Sequence, residues 1–290
     1  MSLEFIDTTR YDVPGRSRGL LDVFRWRYLL SVIIRKGTAT RYRNSVLGWV
    51  WSYVKPGAQF AIYYFIVGLV LNVHRDMENF AIYLFSGIVM VNFFNEAFGN
   101  ATNSIVDNRA LVKKIYLPRE LFPIAAIVGA LIHFLPQLAI LVVVCLLVGW
   151  LPSFAALGGA VLALLLVTVF ALGLGLFFSG LNVRFRDAQN FVDLIKMFST
   201  WTSPVLYTWV LMADTLSGHP WLFFIYSANP LTVAVELFHQ AFWSPTSATD
   251  PGLPPHFLLS GLAAGILSLV VLVVGQLTFR RFEKSFAQDL

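Results

Sequence analysis

The sequence predicts an all-α membrane protein with six transmembrane helices, an N-terminal interfacial amphipathic helix and a re-entrant helical hairpin before the last span. Three observations lead there. Hydrophobic residues make up 57% of the 290 and charged ones only 13%, against about 25% charged in an ordinary soluble domain. Several apolar runs reach the ~20 residues needed to cross a ~30 Å hydrocarbon core. With six spans, twenty of the 21 Lys and Arg fall on one side, Arg75 being the exception, as the positive-inside rule expects of cytoplasmic loops. The net charge of +5 is therefore read as topology and not as affinity for nucleic acid.

Residues 1–55 form a cytoplasmic tail and an interfacial segment. The first 19 residues are polar and contain no apolar core, so no cleavable signal peptide is expected. Residues 20–34 are apolar but carry Asp22, Arg25 and Arg27. That is too short and too charged for a span, and it reads as a weakly amphipathic helix whose arginines snorkel to headgroups. After a basic stretch, Trp49, Trp51 and Tyr53 mark an interfacial aromatic belt. The six-span domain occupies 56–280, with spans expected at 56–73, 80–101, 121–148, 157–181, 191–211 and 257–279. A short cytoplasmic tail, 281–290, follows.

Residues 221–243 are long enough to cross, but a seventh crossing would put Arg280, Arg281 and Lys284 outside. The segment also carries Asn229-Pro230 at its middle, with Glu236 and His239. A helix–break–helix hairpin entering and leaving from the outer face satisfies both facts, its bend buried in protein. Residues 244–255 read as a turn-rich connector. The single Cys145 lies in an apolar run, which excludes an intramolecular disulfide.

Residues 107–123 form a polar island between two apolar runs and must sit at one bilayer surface. A short helix is expected there. Asp107 can cap its N-terminus, Lys113 and Lys114 suit the negative end of its dipole, and Pro118 stops it. The island is either a charged connecting loop or a docking helix that receives force from a soluble partner. Glu96 lies among Asn92, Asn95, Asn100 and Asn103. Both a structural hydrogen-bond network and a hydrated translocation path fit that composition. His133 reads as a hydrogen-bonded packing residue, since no ionic partner is near it in sequence. Pro123 and Pro136 are expected to kink their span. The 26 Phe, 8 Trp and 10 Tyr exceed what two interfacial belts need. Most should pack against lipid, and a minority could line a channel, where flat rings suit sugar C–H faces.

No GxxxxGK[ST] loop, HExxH or paired CxxC occurs, so neither an ATP cradle nor a metal site of those types is present. Carboxylates in the spans are sparse, Glu96 and Asp193 among them. A membrane glycosyltransferase would be expected to show an acidic pair or a nucleophile with its base. No enzyme activity is therefore assigned to this chain, and no catalytic residue.

Residues 41–56, RYRNSVLGWVWSYVKP, resemble the entrance signature of the permease subunits of type-2 ABC exporters for lipid-linked polysaccharide. LVKKIYLPRELFP (111–123), NVRFRD (182–187), SPVLY (203–207) and NPL (229–231) look like further blocks of that family in the same order. Members move O-antigen, teichoic acid, capsular chains or galactan on a polyprenyl diphosphate lipid. The resemblance implies a multi-pass protein of the plasma (inner) membrane with both termini cytoplasmic. It implies a homodimer with two copies of a separate ABC ATPase, which binds the ATP and Mg, so that this chain itself binds no cofactor. It assigns ATPase coupling to Asp107, Asn108, Arg109, Leu111, Lys113 and Lys114. It makes 20–34 a gate helix, and 221–243 the outer closure of the channel. Arg41 and Arg43 are candidates to meet the lipid diphosphate, membrane-surface anchoring being the alternative. Channel or gate candidates are Trp49, Trp51, Asn95, Glu96, Phe98, Tyr207, Asn229 and Pro230.

The resulting expectation is an ATP-driven exporter subunit for polyprenyl-diphosphate-linked polysaccharide, whose partners are a second copy, the ATPase, membrane lipid and the glycan. A drug or small-lipid exporter of the same class is the alternative, and a membrane glycosyltransferase a more distant one. A secondary transporter would show inverted repeats or paired mid-membrane charges, and neither is visible.

Overall fold

The computed structural model describes residues 19–41, 48–114, 117–283 and 286. Among the described residues every regular element is helical and no strand occurs. A 3-10 segment, Leu20–Trp26, leads into helix α1, Arg27–Arg41. Val23 and Ile33 are buried, while Tyr28 and Val32 stay exposed. The helix thus runs seven residues past the expected end at residue 34.

Helix α2, Trp51–Tyr63, continues into a π-helical stretch, Tyr64–Val70. Together they form a rod roughly 30 Å long at 1.5 Å per residue, in the place of the first expected span. Pro56 is accommodated inside it, on its buried side. After the short α3, Val73–Asp76, helix α4 runs unbroken from Phe80–Asp107 and overshoots its expected end by six residues. Only Asn108 separates it from α5, Arg109–Lys114. Asp107 is therefore the last residue of α4 and not the cap of α5. The Asn108 amide turns back and donates to the Ser104 carbonyl, 2.9 Å.

Helices α6, Leu121–Leu147, and α7, Phe154–Arg184, follow. Pro123 does not sit where a kink can form. It occupies the first turn of α6, where its missing N–H would have no partner in any case; Pro136 is the proline inside the helix. Ser153 caps α7, its hydroxyl accepting from the Ala156 N–H at 3.1 Å. The fifth expected span, 191–211, is not one helix. It is α8, Ala188–Ser199, then turns over 200–208, then α9, Trp209–Thr215. Pro204 cannot donate to the ladder, and the Ser203 hydroxyl donates to the Ser199 carbonyl at 2.7 Å, so the backbone leaves the helix. The freed carbonyls of Pro204 and Tyr207 are met by the Tyr83 hydroxyl at 2.8 and 2.7 Å.

Helices α10, Pro220–Ser227, and α11, Pro230–Phe238, meet at a bend of 70°. Asn229 makes that break: its side chain accepts from the Leu231 N–H at 3.1 Å, and Pro230 takes the first helical position, where proline is pre-organised. Helix α12, Phe257–Glu283, ends the described fold apart from residue 286. Helices α4, α6, α7 and α12 are each long and apolar enough to cross a membrane, and the bent pair could supply a fifth crossing.

Helix α4 is the axis. Leu84, Val89, Met90, Ala97, Phe98 and Ala101 are all fully buried against the surrounding helices. Leucines and valines of α6, α7 and α12, such as Leu147, Leu162, Leu258 and Val273, point outward instead. That much exposed apolar surface is tolerated only with hydrocarbon as solvent, so the protein is integral to a membrane. Helices α7 and α12 touch through their backbones. A Cβ on Gly275 would lie 2.1 Å from the Gly173 carbonyl oxygen, and one on Gly173 would lie 2.6 Å from the Leu272 nitrogen. Small residues at such crossings let membrane helices pack where no hydrophobic drive between them exists.

Candidate functional site

Asn92, Asn95, Glu96, Gly99, Asn100 and Asn103 recur at three- and four-residue intervals and so share one face of α4. Opposite them stands α2, offering Trp51, Ser52, Lys55 and Gln59, while Lys196 closes the side from α8 and Gln137 from α6. These side chains bound an open polar cleft of about 350 Å³. Amides, two lysines, a carboxylate and the Ser52 hydroxyl surround one exposed indole, a mixture suited to sugar hydroxyls and their C–H faces. Gly99 shapes the cleft by omission. A Cβ there would meet Lys196 Nζ at 3.4 Å and Cε at 3.6 Å, so the lysine lies flat across this notch. The stripe is held in place: the Ser199 hydroxyl donates to Asn95 Oδ1 at 2.9 Å, and the Asn182 amide donates to Asn103 Oδ1 at 3.0 Å.

Behind the cleft, Glu96 Oε1 meets His133 Nδ1 of α6 at 2.6 Å. His133 is therefore the hydrogen-bonded packing residue expected, its partner 37 positions away in sequence but adjacent across the α4–α6 packing. On the far side of this pair lies a second cavity, about 470 Å³, beneath α1 and between α4 and α6. His133 forms its inner end, and Lys36, Asp107 and Asn108 its polar rim. Lys36 Nζ donates to Asn108 Oδ1 at 3.2 Å and so ties α1 to the α4–α5 junction.

Helix α5 buries Val112 and exposes Arg109, Lys113 and Lys114. Leu111 packs partly against the same small core as Val112. On its other flank the island is tethered to α12. Gln276 donates to Glu120 Oε1 at 3.0 Å, the Arg119 guanidinium donates to the Glu283 carbonyl, and the same guanidinium lies 5.6 Å from the Phe286 ring centre. A load on α5 would thus reach α1, α4 and α12 together.

The expected site residues divide accordingly. Trp51, Asn95 and Glu96 line the cleft. Phe98 does not: it is fully buried among Phe94 and Phe178, on the side of α4 away from the cleft. Tyr207 donates to the Trp201 carbonyl at 2.7 Å and stands 6.4 Å from the Tyr226 ring, which places it at the fifth-segment break. Asn229 and Pro230 form the 70° bend between α10 and α11. Arg43 and the side chains of Arg41 and Trp49 lie outside the described residues. Sequence reasoning missed Lys55, Gln59, Gly99 and Lys196 as members of the site. The helical spacing of the asparagines with Glu96 and Gly99 is the signal that would have located the face. Among the described residues no group of three or more His, Cys, Asp or Glu is placed to hold a metal ion.

The family model described as "ABC-2 type transporter" matches residues 28–243. The O-antigen export system permease protein RfbA of Klebsiella pneumoniae is 29% identical over 262 residues, covering 90% of this chain and 95% of the relative. A protein of the same name from Myxococcus xanthus is 25% identical over 269 residues, covering 93% and 98%.

Proposed function

The chain belongs to the ABC-2 type transporter family, and on that premise we propose that it is the transmembrane subunit of an ATP-driven exporter for polyprenyl-diphosphate-linked polysaccharide of the O-antigen class. Two copies would pair with two copies of a separate ABC ATPase in the inner membrane, each chain crossing six times with both termini in the cytoplasm. The re-entrant reading of α10–α11 follows from that topology, as does a crossing made by α8, the turns at 200–208 and α9. Trp51, Asn95 and Glu96 then belong to the glycan path, Tyr207, Asn229 and Pro230 to its outer gate, and α1 to the lateral entrance.

One observation carries the reading. Helix α4 is an unbroken rod, with the sugar-suited polar stripe over residues 92–103 and the exposed cationic α5 one residue beyond its end. Closure of the ATPase dimer around ATP pushes on Arg109, Lys113 and Lys114. The rod transmits that push without loss because it has no internal break, and the tethers at Lys36–Asn108 and Glu120–Gln276 carry it to α1 and α12. Rocking α4 against α2 and α8 widens the cleft, and the glycan advances. Relatives named as O-antigen export permeases over nine-tenths of the chain support the cargo class.

The test is charge reversal. In Lys113→Glu/Lys114→Glu, co-purification of the ATPase subunit and surface display of the polysaccharide should both be lost, while membrane insertion stays normal. Retention of both association and export would sink the docking role of α5.

A further inference from the structure

Resting on the exporter reading above, we propose that Lys55 and Lys196, on opposite walls of the polar cleft, form the site that holds the diphosphate of the lipid-linked substrate. The two lysines belong to different helices and line one cavity together with Asn92, Asn95 and Asn103. A diphosphate presents acceptors only, and it is met by charge-assisted donors spaced across a few ångströms. The cleft supplies both the cations and neutral N–H donors.

The charged groups that line the cleft are Lys55, Lys196 and Glu96. Glu96 is the one carboxylate in the wall, and its Oε1 is engaged by His133 from behind at 2.6 Å. The two lysines outnumber it. Lys196 is held by Asp193 at 3.0 Å, an exposed i,i+3 pair on α8. Exposed pairs of this kind are weak, so an incoming diphosphate can displace Asp193 and take over the ammonium. Lys55 has no ion-pair partner among the described residues. Lys55 is exposed where it borders the cleft, so its ammonium is open to a ligand. The Gly99 notch has a purpose in this scheme, since it lets Lys196 reach over the asparagine stripe instead of out to lipid. Trp51, exposed at the cleft wall, is suited to pack on the first sugar or the isoprenoid beside the diphosphate.

The experiment uses the full chain with its ATPase partner in lipid nanodiscs, and titrates farnesyl diphosphate, farnesyl monophosphate, farnesol and inorganic pyrophosphate against Trp fluorescence. Farnesyl diphosphate should bind best. Lys55→Gln and Lys196→Gln should each weaken it about tenfold, the loss of one charge-assisted contact, and barely alter farnesol. Gly99→Leu retains both lysines but fills the notch, and should weaken the diphosphate to a similar degree. Monodispersity and retained ATPase association confirm that each variant is folded. Unchanged affinity in the Lys55→Gln/Lys196→Gln double variant overturns the site, as does loss of binding only in Arg41→Gln/Arg43→Gln. Equal affinity for inorganic pyrophosphate overturns the lipid-linked source. The exporter reading fails separately, if Lys113→Glu/Lys114→Glu leaves export intact whatever the diphosphate titration shows.

Discussion

Replacing Gly275 with alanine should separate the two helices that pack most closely in this fold. The new Cβ would lie 2.1 Å from the Gly173 carbonyl oxygen and 3.0 Å from its carbon. A carbon and a carbonyl oxygen come to rest at about 3.3 Å, so α12 must withdraw from α7 by more than about 1 Å. No side-chain rotation relieves the clash, because the obstructing atoms are backbone. A gap of 0.5–1 Å forfeits roughly a quarter to a half of each dispersion contact along the crossing. Overpacked cores lose about 1–3 kcal/mol, and a backbone-limited case belongs at the upper end, about 3 kcal/mol. At roughly 2–4 °C per kcal/mol for a chain of this size, the melting temperature in detergent should fall by roughly 6–12 °C. The control is Gly265→Ala, on the same helix, where a Cβ meets nothing within 4 Å. There the alanine should be neutral or stabilising by up to about 1 kcal/mol, through helix propensity. Both are read by Trp fluorescence during a thermal ramp. If Gly275→Ala melts within a degree of the unsubstituted protein, the close approach of α7 and α12 is wrong.

Ser153→Ala removes the hydroxyl that accepts from Ala156 N–H and should cost about 1 kcal/mol, a melting shift of a few degrees that Ser153→Asp avoids. His133→Leu takes the 2.6 Å partner from Glu96 and should destabilise by about 1 kcal/mol, the cost of one hydrogen bond at a carboxylate that still borders the open cleft. Glu96→Gln on top of it should recover part of that loss, a coupling measured by the double-mutant cycle. Asn108→Ala cuts the contact to Lys36 and the back-bond to Ser104. It should leave ATPase association intact while lowering export several-fold, a separation that pull-down and surface polysaccharide assays report.

Hydropathy made the long helices legible because their signal is local: α6, α7 and α12 are apolar on nearly every face. The polar island at 107–123 was equally plain, since charge between apolar runs has one place to go. What failed depended on contacts distant in sequence or on position within a helix. The span at 191–211 keeps its hydropathy while losing its helix, because Pro204 and the Ser203 hydroxyl outweigh an apolar composition. Pro123 was misread because proline in a first turn and proline in a helix interior look alike without the helix start. His133 was legible as a hydrogen-bonded packing residue, but its partner Glu96 was not, because α4–α6 packing sets it. Phe98 shares a cluster with Asn95 and Glu96 in sequence but lies on the buried face of α4.

Phe98 and Glu96 are two residues apart and play opposite parts, which shows how one helix does two tasks. A membrane rod must be apolar where it packs and can be polar only where water or ligand reaches it. Helix α4 meets both demands by period: Phe94, Ala97, Phe98 and Ala101 seal one face against α7, while Asn92, Asn95, Glu96, Gly99 and Asn103 line the cleft on the other. The packed face makes the rod stiff, and the polar face gives that stiffness something to move. Were the stripe only a structural network, its amides would all be consumed by protein partners and the cleft would close. Instead Asn95 and Asn103 are each braced by a single neighbour, Ser199 and Asn182, and still border open volume. Bracing a wall while leaving its surface accessible is what a path for a sugar chain requires. Under the proposed mechanism the lever and the path are one helix, so a displacement imposed at α5 would change the width of the cleft directly.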